Sequence, residues 1–169
     1  MQRVLVIGSP GSGKSRLATE VARRTGLPLI RLDQEYWRSG WVEPPKEEWN
    51  QHVAELAARE RWVMDGNYGG SLAIRLERAD TVLDLQLPAW LCVARILKRV
   101  VGSWGRVRPD MAEGCPEQFS FEFLLYTAMF PWSARKRTDA KLKNFSGTYV
   151  PLCSRAEIRA FLASFGNGG

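Results

Sequence analysis

The stretch Gly8-Ser9-Pro10-Gly11-Ser12-Gly13-Lys14-Ser15-Arg16 holds the residue types and spacing that point most directly to chemistry. It satisfies G-x-x-x-x-G-K-S, follows the apolar run Val4-Leu5-Val6-Ile7 and opens a segment of helical pattern. Glycines let a backbone wrap closely around a phosphate, so N–H groups converge at a helix start where the helix dipole also favours an anion. In that setting Lys14 is expected to reach the β- and γ-phosphates of ATP, and the Ser15 hydroxyl to ligate Mg²⁺. Gly8 through Arg16 are therefore the expected nucleotide-binding residues, with ATP and Mg²⁺ as cofactors.

A phosphate site that uses Mg²⁺ also needs a carboxylate near the serine. Trp62-Val63-Met64-Asp65-Gly66 ends an apolar run in an acid, and an acid at a strand end can hold the metal's water shell. Asp84, in Val82-Leu83-Asp84-Leu85, competes for that role. Its apolar neighbours on both sides suggest mid-strand, so Asp65 is the expected partner of Ser15.

Elements that could position these groups follow from hydrophobic period. Strand patterns at Val4–Ile7, Leu29–Leu32, Trp62–Met64, Thr81–Leu87 and Thr148–Leu152 alternate with helical patterns. The helices are expected at Lys14–Thr25, Lys46–Glu60, Ser71–Glu77, Ala89 to about Val101, Ser120 to about Leu142, and after Ser154. Such alternation predicts a three-layer α/β fold of the P-loop NTPase kind: five parallel strands with helices on both faces. Ser154-Arg155-Ala156-Glu157 reads as a capping box, and Pro131 is expected to kink or break the long helix. Phe121, Leu124, Leu125, Ala128, Met129 and Trp132 recur at helical spacing and are expected in the core. The Gly-Asn-Gly-Gly tail is expected to fray.

Two connections exceed what a compact domain needs, which is a mark of function. Residues 33–45 carry Asp33, Tyr36, Trp37, Arg38 and Trp41; residues 102–119 carry Arg106, Arg108 and an acidic stretch from Asp110 to Glu117. Both would lie past the carboxyl ends of strands, where α/β sheets bind ligands. The three aromatics of the first loop either stack an acceptor or pack the lobe, and packing is the commoner use. His52, the only histidine, falls mid-helix among polar residues and receives no catalytic role.

Length and composition bound the rest. The chain's 169 residues suit one domain, and 45% apolar with 25% charged residues is a globular composition. No apolar run reaches membrane-spanning length and no leader pattern fits the start, so a cytoplasmic location is expected. Cys92, Cys115 and Cys153 lack disulfide or zinc spacing. The net charge of +6 lies wholly in residues 95–169, where 12 Lys/Arg face 6 Asp/Glu, against 12 and 12 before them. That half meets something anionic, polyphosphate or nucleic acid, or is a solvated basic surface.

Together, the glycine-rich loop, Leu32-Asp33, Met64-Asp65-Gly66-Asn67-Tyr68, Leu85-Gln86-Leu87-Pro88-Ala89-Trp90 and the run Arg106 to Glu117 resemble the adenylate-kinase-like branch of P-loop kinases. Within it the chain is most similar to a bacterial group labelled DNA topology modulation proteins. The resemblance implies a phosphotransferase moving the γ-phosphoryl of ATP to a small acceptor, with an acceptor lobe at about 33–60 and a lid at about 102–119. It implies Asp33 as an acceptor-hydroxyl contact, Arg106 and Arg108 as lid arginines closing on ATP, and Arg135 and Arg137 as charges on the transferring phosphoryl.

Two arginines that grip a monophosphate in adenylate kinases are missing, with Gly69 and Tyr36 standing in their places. Arg38 or Arg75 could substitute for them, or the acceptor could be an unphosphorylated hydroxyl compound approached by Asp33. The rival function is a nucleotide-dependent regulator associated with DNA. It rests on charge alone, since no helix-turn-helix, zinc finger or RNP-type motif is present. A GTPase is disfavoured because no N-K-x-D element occurs, and an AAA-type motor because Gly66, not Glu, follows Asp65.

Overall fold

A computed structural model describes residues 1–166. Its sheet consists of β1 (Arg3–Gly8), β2 (Leu29–Arg31), β3 (Trp62–Asp65), β4 (Thr81–Leu85) and β5 (Thr148–Leu152). All pair in parallel, in the order β2-β3-β1-β4-β5. The helices are α1 (Lys14–Thr25), α2 (Leu32–Tyr36), α3 (Lys46–Ala58), α4 (Leu72–Leu76), α5 (Ala89–Ser103), α6 (Phe121–Met129), α7 (Ala134–Leu142) and α8 (Arg155–Ala163). Single 3₁₀ turns occupy Gly69–Ser71 and Ser164–Gly166.

Because side chains alternate along a strand, the central strand β1 feeds two cores. Leu5 and Ile7 meet Met64, Val82 and Ile30 under α3 and α4, with Trp49, Val53 and Leu56 closing that layer. Val4 and Val6 meet Val63, Leu83 and Leu85 under α1, with Leu17, Ala18 and Val21. Each such large aliphatic side chain removed from water contributes about 1.5–3 kcal/mol. A strand buried on both faces has to be apolar throughout, which is why Val4 to Ile7 form an unbroken run.

The register sets the site. Val6 pairs with Asp65 and Gly8 with Leu85, so the carboxyl ends of β1 and β3 finish side by side. Whatever follows Gly8 therefore turns directly over Asp65. Asp84 pairs with Ile7 and Pro151, in the body of β4.

Local signals hold at several boundaries. Ser154 Oγ accepts from Glu157 N at 3.1 Å, and Glu157 Oε2 accepts from Cys153 N at 2.7 Å, a reciprocal cap on α8. Ser120 Oγ likewise caps α6 through Phe123 N.

Other expectations change. β2 stops at Arg31, and Leu32 begins the short α2, which lifts Asp33 out of a loop and into a helical first turn. The helix expected from Ser120 to Leu142 is two helices, broken around Pro131, whose ring cannot donate a ladder hydrogen bond. The apolar stripe expected in the core stays outside: Phe121, Leu125, Met129 and Trp132 are exposed, while Leu124 and Ala128 are half-buried. α6 packs on α5 rather than on the sheet, so only part of its surface is covered. Of the tail expected to fray, Gly166 closes the last 3₁₀ turn, and residues 167–169 lie outside the described residues.

Among the described residues no helix is long and apolar enough to cross a membrane. Cys92 and Cys115 are buried and Cys153 is exposed, all three as free thiols.

Candidate active site

The loop after β1 turns tightly enough to exclude side chains at two points. Gly8 has φ 138°, and a Cβ there would sit 2.4 Å from the Leu85 carbonyl oxygen. Gly11 has φ 74°, and its Cβ would sit 2.5 Å from the Cys92 carbonyl oxygen. The loop is thus wedged between β4 and α5. Gly8, Ser9 and Ser12 are buried beneath it, while Pro10, Gly11, Gly13, Lys14, Ser15 and Arg16 line a cavity of about 720 Å³.

Lys14 Nζ donates to the Ser9 carbonyl at 2.9 Å, which folds the ammonium over the loop. Burial lowers its pKa, and the nearby Asp65 and Asp33 carboxylates oppose that. Asp65 responds in the opposite sense: burial pushes its carboxyl up to about 6, against Lys14 and a Ser15 hydrogen bond that hold it down. Its Oδ1 is buried and has no hydrogen-bond partner among the described residues.

Such an orphaned carboxylate oxygen beside a serine hydroxyl is a pair of hard oxygen donors, the set that Mg²⁺ takes. Ser15 and Asp65 fit that ion. Among the described residues no group of three or more His, Cys, Asp or Glu could hold a metal, so a cation here would draw its remaining ligands from phosphate and water.

Asp84 has another occupation. It is fully buried, its Oδ2 takes Arg135 Nη1 at 2.6 Å and the Tyr149 hydroxyl at 2.7 Å, and it does not line the cavity.

On the far side of Asp65, the loop Gly66-Asn67-Tyr68 is held from within. Arg75 is fully buried, and its guanidinium donates to the carbonyls of Gly66 at 2.9 Å, Tyr68 at 3.0 Å and Asn67. Burial lowers its pKa to about 9. Asn67 closes the loop onto β1 through both amide atoms, to Gly8 N and Gly8 O. Tyr68, left-handed at φ 32°, donates its hydroxyl to Asp33 Oδ1 at 2.7 Å. Asp33 and Asp65 thereby share one cavity with Lys14.

Neither arginine weighed as a substitute monophosphate grip lines the cavity. Arg75 is spent on three carbonyls, and Arg38 pairs with Glu48 at the surface.

Residues 102–119 fold over the cavity and touch α2 and the loop after it. Gly40 N donates to Gly114 O at 2.9 Å and Gln34 Nε2 to Pro109 O at 2.8 Å. Trp37 and Trp41 pack against Met111, Ala112 and Cys115, the commoner use expected of them, and also line the cavity. Tyr36 packs, edge-on to Trp37 and Trp49.

The four arginines expected at the site part company. Arg108 lines the cavity, held by two carboxylates, with Nε on Glu117 at 2.7 Å and Nη1 on Asp110 at 3.0 Å. Arg106 is exposed and does not line it, because Glu117 N takes the Arg106 carbonyl in a hairpin that turns its side chain outward. Arg135 is bound between Asp84 and Asp139 and does not line the cavity. Arg137 lies in an adjoining cavity of about 400 Å³ with Lys141, whose Nζ donates to Gly69 O at 2.5 Å.

That second cavity shares Asn67, Gly69 and Tyr126 with the first and has no carboxylate in its lining. Arg137 makes no ion pair among the described residues.

Two cations were missed in the sequence. Arg95 Nη1 donates to Ser12 O at 2.9 Å and to Gly11 O at 3.3 Å, against the phosphate loop itself. Arg99, one turn on, pairs with Glu117 at 3.1 Å and lines the same cavity. Burial first, and the neighbouring Arg108 charge second, press its pKa down. Their i, i+4 spacing beside the buried Cys92, Ile96 and Val100 is the signal that could have marked them.

Comparison with known proteins bears on the fold. Residues 4–63 match the family described as ATPase family associated with various cellular activities (AAA). That span is well under half of the chain, and it stops at Val63, short of Asp65. A search of curated proteins returned no match. A shikimate kinase from Bacteroides thetaiotaomicron is 16% identical with TM-score 0.56, over 96% of this chain and 95% of that one. A shikimate kinase from Acinetobacter baumannii in complex with shikimate is 14% identical with TM-score 0.57, over 97% and 90%. Identities that low speak for the fold. The chain is an α/β protein of the P-loop NTPase fold, shaped over nearly its whole length like small-molecule kinases.

Proposed function

We propose that this protein is an ATP-dependent small-molecule kinase, moving the γ-phosphoryl of ATP to a hydroxyl of a small acceptor. One observation carries the reading: the phosphate loop, Asp65, Asp33 and three arginines, Arg95, Arg99 and Arg108, line one cavity of about 720 Å³. Phosphoryl transfer asks for little covalent help and much positioning and charge, and this lining supplies both.

In that reading the loop N–H groups and Lys14 hold the phosphates, and Arg95, Arg99 and Arg108 take up charge from the other side. Mg²⁺, held through Ser15 and Asp65, would neutralise phosphate charge at the same point. Asp33 receives the acceptor hydroxyl: one oxygen is fixed by Tyr68, which leaves the other to accept the proton as the oxygen attacks phosphorus. The smaller cavity seats the rest of the acceptor, where Arg137 and Lys141 favour a negatively charged or strongly polar group. Residues 102–119 act as the lid that excludes water.

The likeness to adenylate-kinase-like enzymes enters as the type of mechanism rather than as a choice of AMP, since neither Arg38 nor Arg75 lines the cavity. A DNA-associated regulator, the reading that goes with the topology-modulation label, has only the basic surface of residues 95–169 in its favour.

The test is a coupled ADP-release assay with MgATP against nucleosides, nucleotides, sugars and hydroxy acids. An acceptor raising ADP release at least about tenfold over hydrolysis, and silent with Asp33→Asn, is the expected result. Nanomolar, sequence-selective DNA binding with no transfer to any acceptor would replace the kinase by the regulator.

A further inference from the structure

We infer that α5 carries a self-association seam, on which a second copy of this chain docks through Trp90, Ala94, Leu97, Val101 and Trp104. These positions are spaced 4, 3, 4 and 3 residues apart, from the first turn of α5 to the residue after its last. That is the alternation of the apolar positions in a two-helix seam, and it is narrower than the face a helix lays on a sheet.

The seam is separate from the side of α5 that the fold already uses. Cys92, Ile96 and Val100 are buried beneath it, and Arg95 and Arg99 turn to the nucleotide cavity. The seam itself is open: Trp90 is 72% exposed, Leu97 41%, Val101 84% and Trp104 63%. Two indoles and a valine in water, in a row, serve no purpose in the catalytic reading.

Sequence order along the seam suits an identical partner. Leu97 lies at its centre with a tryptophan seven residues to either side, so an antiparallel copy sets Trp90 against the partner's indole and the small Ala94 near the larger Val101. A two-fold contact needs that self-complementarity.

Size agrees as well. With aromatic side chains at about 150–250 Å² each, these residues expose on the order of 500 Å² per copy. A symmetric pair would bury on the order of 1,000 Å² from them alone, which reaches the size of a specific interface.

Lys98 is the charged residue next to the centre of the seam, and it is exposed. Across a two-fold axis it faces its own copy, so salt should strengthen the association by screening the pair. Binding to an anionic membrane or to nucleic acid through the same helix would weaken with salt.

Sedimentation equilibrium of the full chain, at low and high salt, tests this. The wild-type protein should be a dimer with a dissociation constant on the order of 10 μM or below, tighter in high salt, while Val101→Glu and Leu97→Lys should be monomers with unchanged melting temperature. Should either charged variant fail to fold, Val101→Ser removes apolar area alone and should weaken the dimer on the order of tenfold. A wild-type protein monomeric across that range, or dimerisation untouched in these variants, overturns the inference. So does a monomer that instead cosediments with phosphatidylcholine–phosphatidylglycerol vesicles.

Discussion

The Tyr68 hydroxyl donates to Asp33 Oδ1 across 2.7 Å, joining the end of β3 to the first turn of α2. Tyr68 can do this only from its left-handed backbone, which Arg75 sustains by gripping the carbonyls on either side. A buried arginine held by backbone carbonyls thus fixes, two steps away, the orientation of the proposed acceptor carboxylate.

Tyr68→Phe keeps the ring and removes that bond. Losing one hydrogen bond to a charged group costs about 1.5–3 kcal/mol, so turnover should fall about 10- to 100-fold. MgATP affinity, read in the same steady-state experiment as the KM for ATP, should barely move.

Asp65 and Asp84 should separate function from stability. Asp65→Asn should abolish Mg²⁺-dependent turnover yet leave a folded protein. Asp84→Asn removes the buried carboxylate from Arg135 and leaves it paired with Asp139 alone, and should cost about 1.5–3 kcal/mol of unfolding free energy, the loss of a hydrogen bond to a charged group. Urea titration of the two variants beside turnover measurements checks the contrast; a destabilised Asp65→Asn with an active, stable Asp84→Asn would reverse the assignment.

The pH behaviour follows from Asp65. Its carboxyl, ordinarily near 3.8, is raised to about 6 by burial, so the native state holds the proton more tightly than the unfolded chain does. Stability from this group is complete below 3.8 and drains away as pH rises through about 6. Without Mg²⁺, Asp65→Asn should therefore match the wild-type protein near pH 4 and exceed it at neutral pH, by on the order of 1–3 kcal/mol. Added Mg²⁺ should narrow the gap by stabilising only the wild type, as thermal melts at the two pH values would reveal.

The cations around the nucleotide should rank by position. Arg108→Ala and Arg95→Ala each remove a guanidinium from the cavity and should weaken ATP binding about tenfold or more. Arg106→Ala, exposed and turned outward, should change it less than about twofold. Equal losses at Arg106 and Arg108 would mean that the hairpin closes differently around the nucleotide.

These rankings also mark what the sequence could carry. The phosphate loop and the β–α alternation are local patterns, written in glycine spacing and in the runs Val4–Ile7 and Trp62–Met64, so they were legible. α2 was not, because a five-residue helix has too few positions to show a period. Of the stripe from Phe121 to Trp132, the residues up to Met129 lie on α6 and Trp132 falls in the turn beyond it, and period alone does not say whether a neighbour covers the face. Arg95 and Arg99 look in sequence like solvated helix charges, and Arg135 like a free one. Only the packing of α5 against the loop, and of α7 near Asp84, decides which of them reaches the cavity.

The most direct measurement is calorimetric titration of MgATP into the wild-type protein and Lys14→Ala. With its ammonium folded over the phosphate loop, Lys14 should supply about 2 kcal/mol or more, so the variant should bind at least about 30-fold more weakly while melting at the wild-type temperature. Equal affinity for MgATP in the two proteins would contradict the account at its centre.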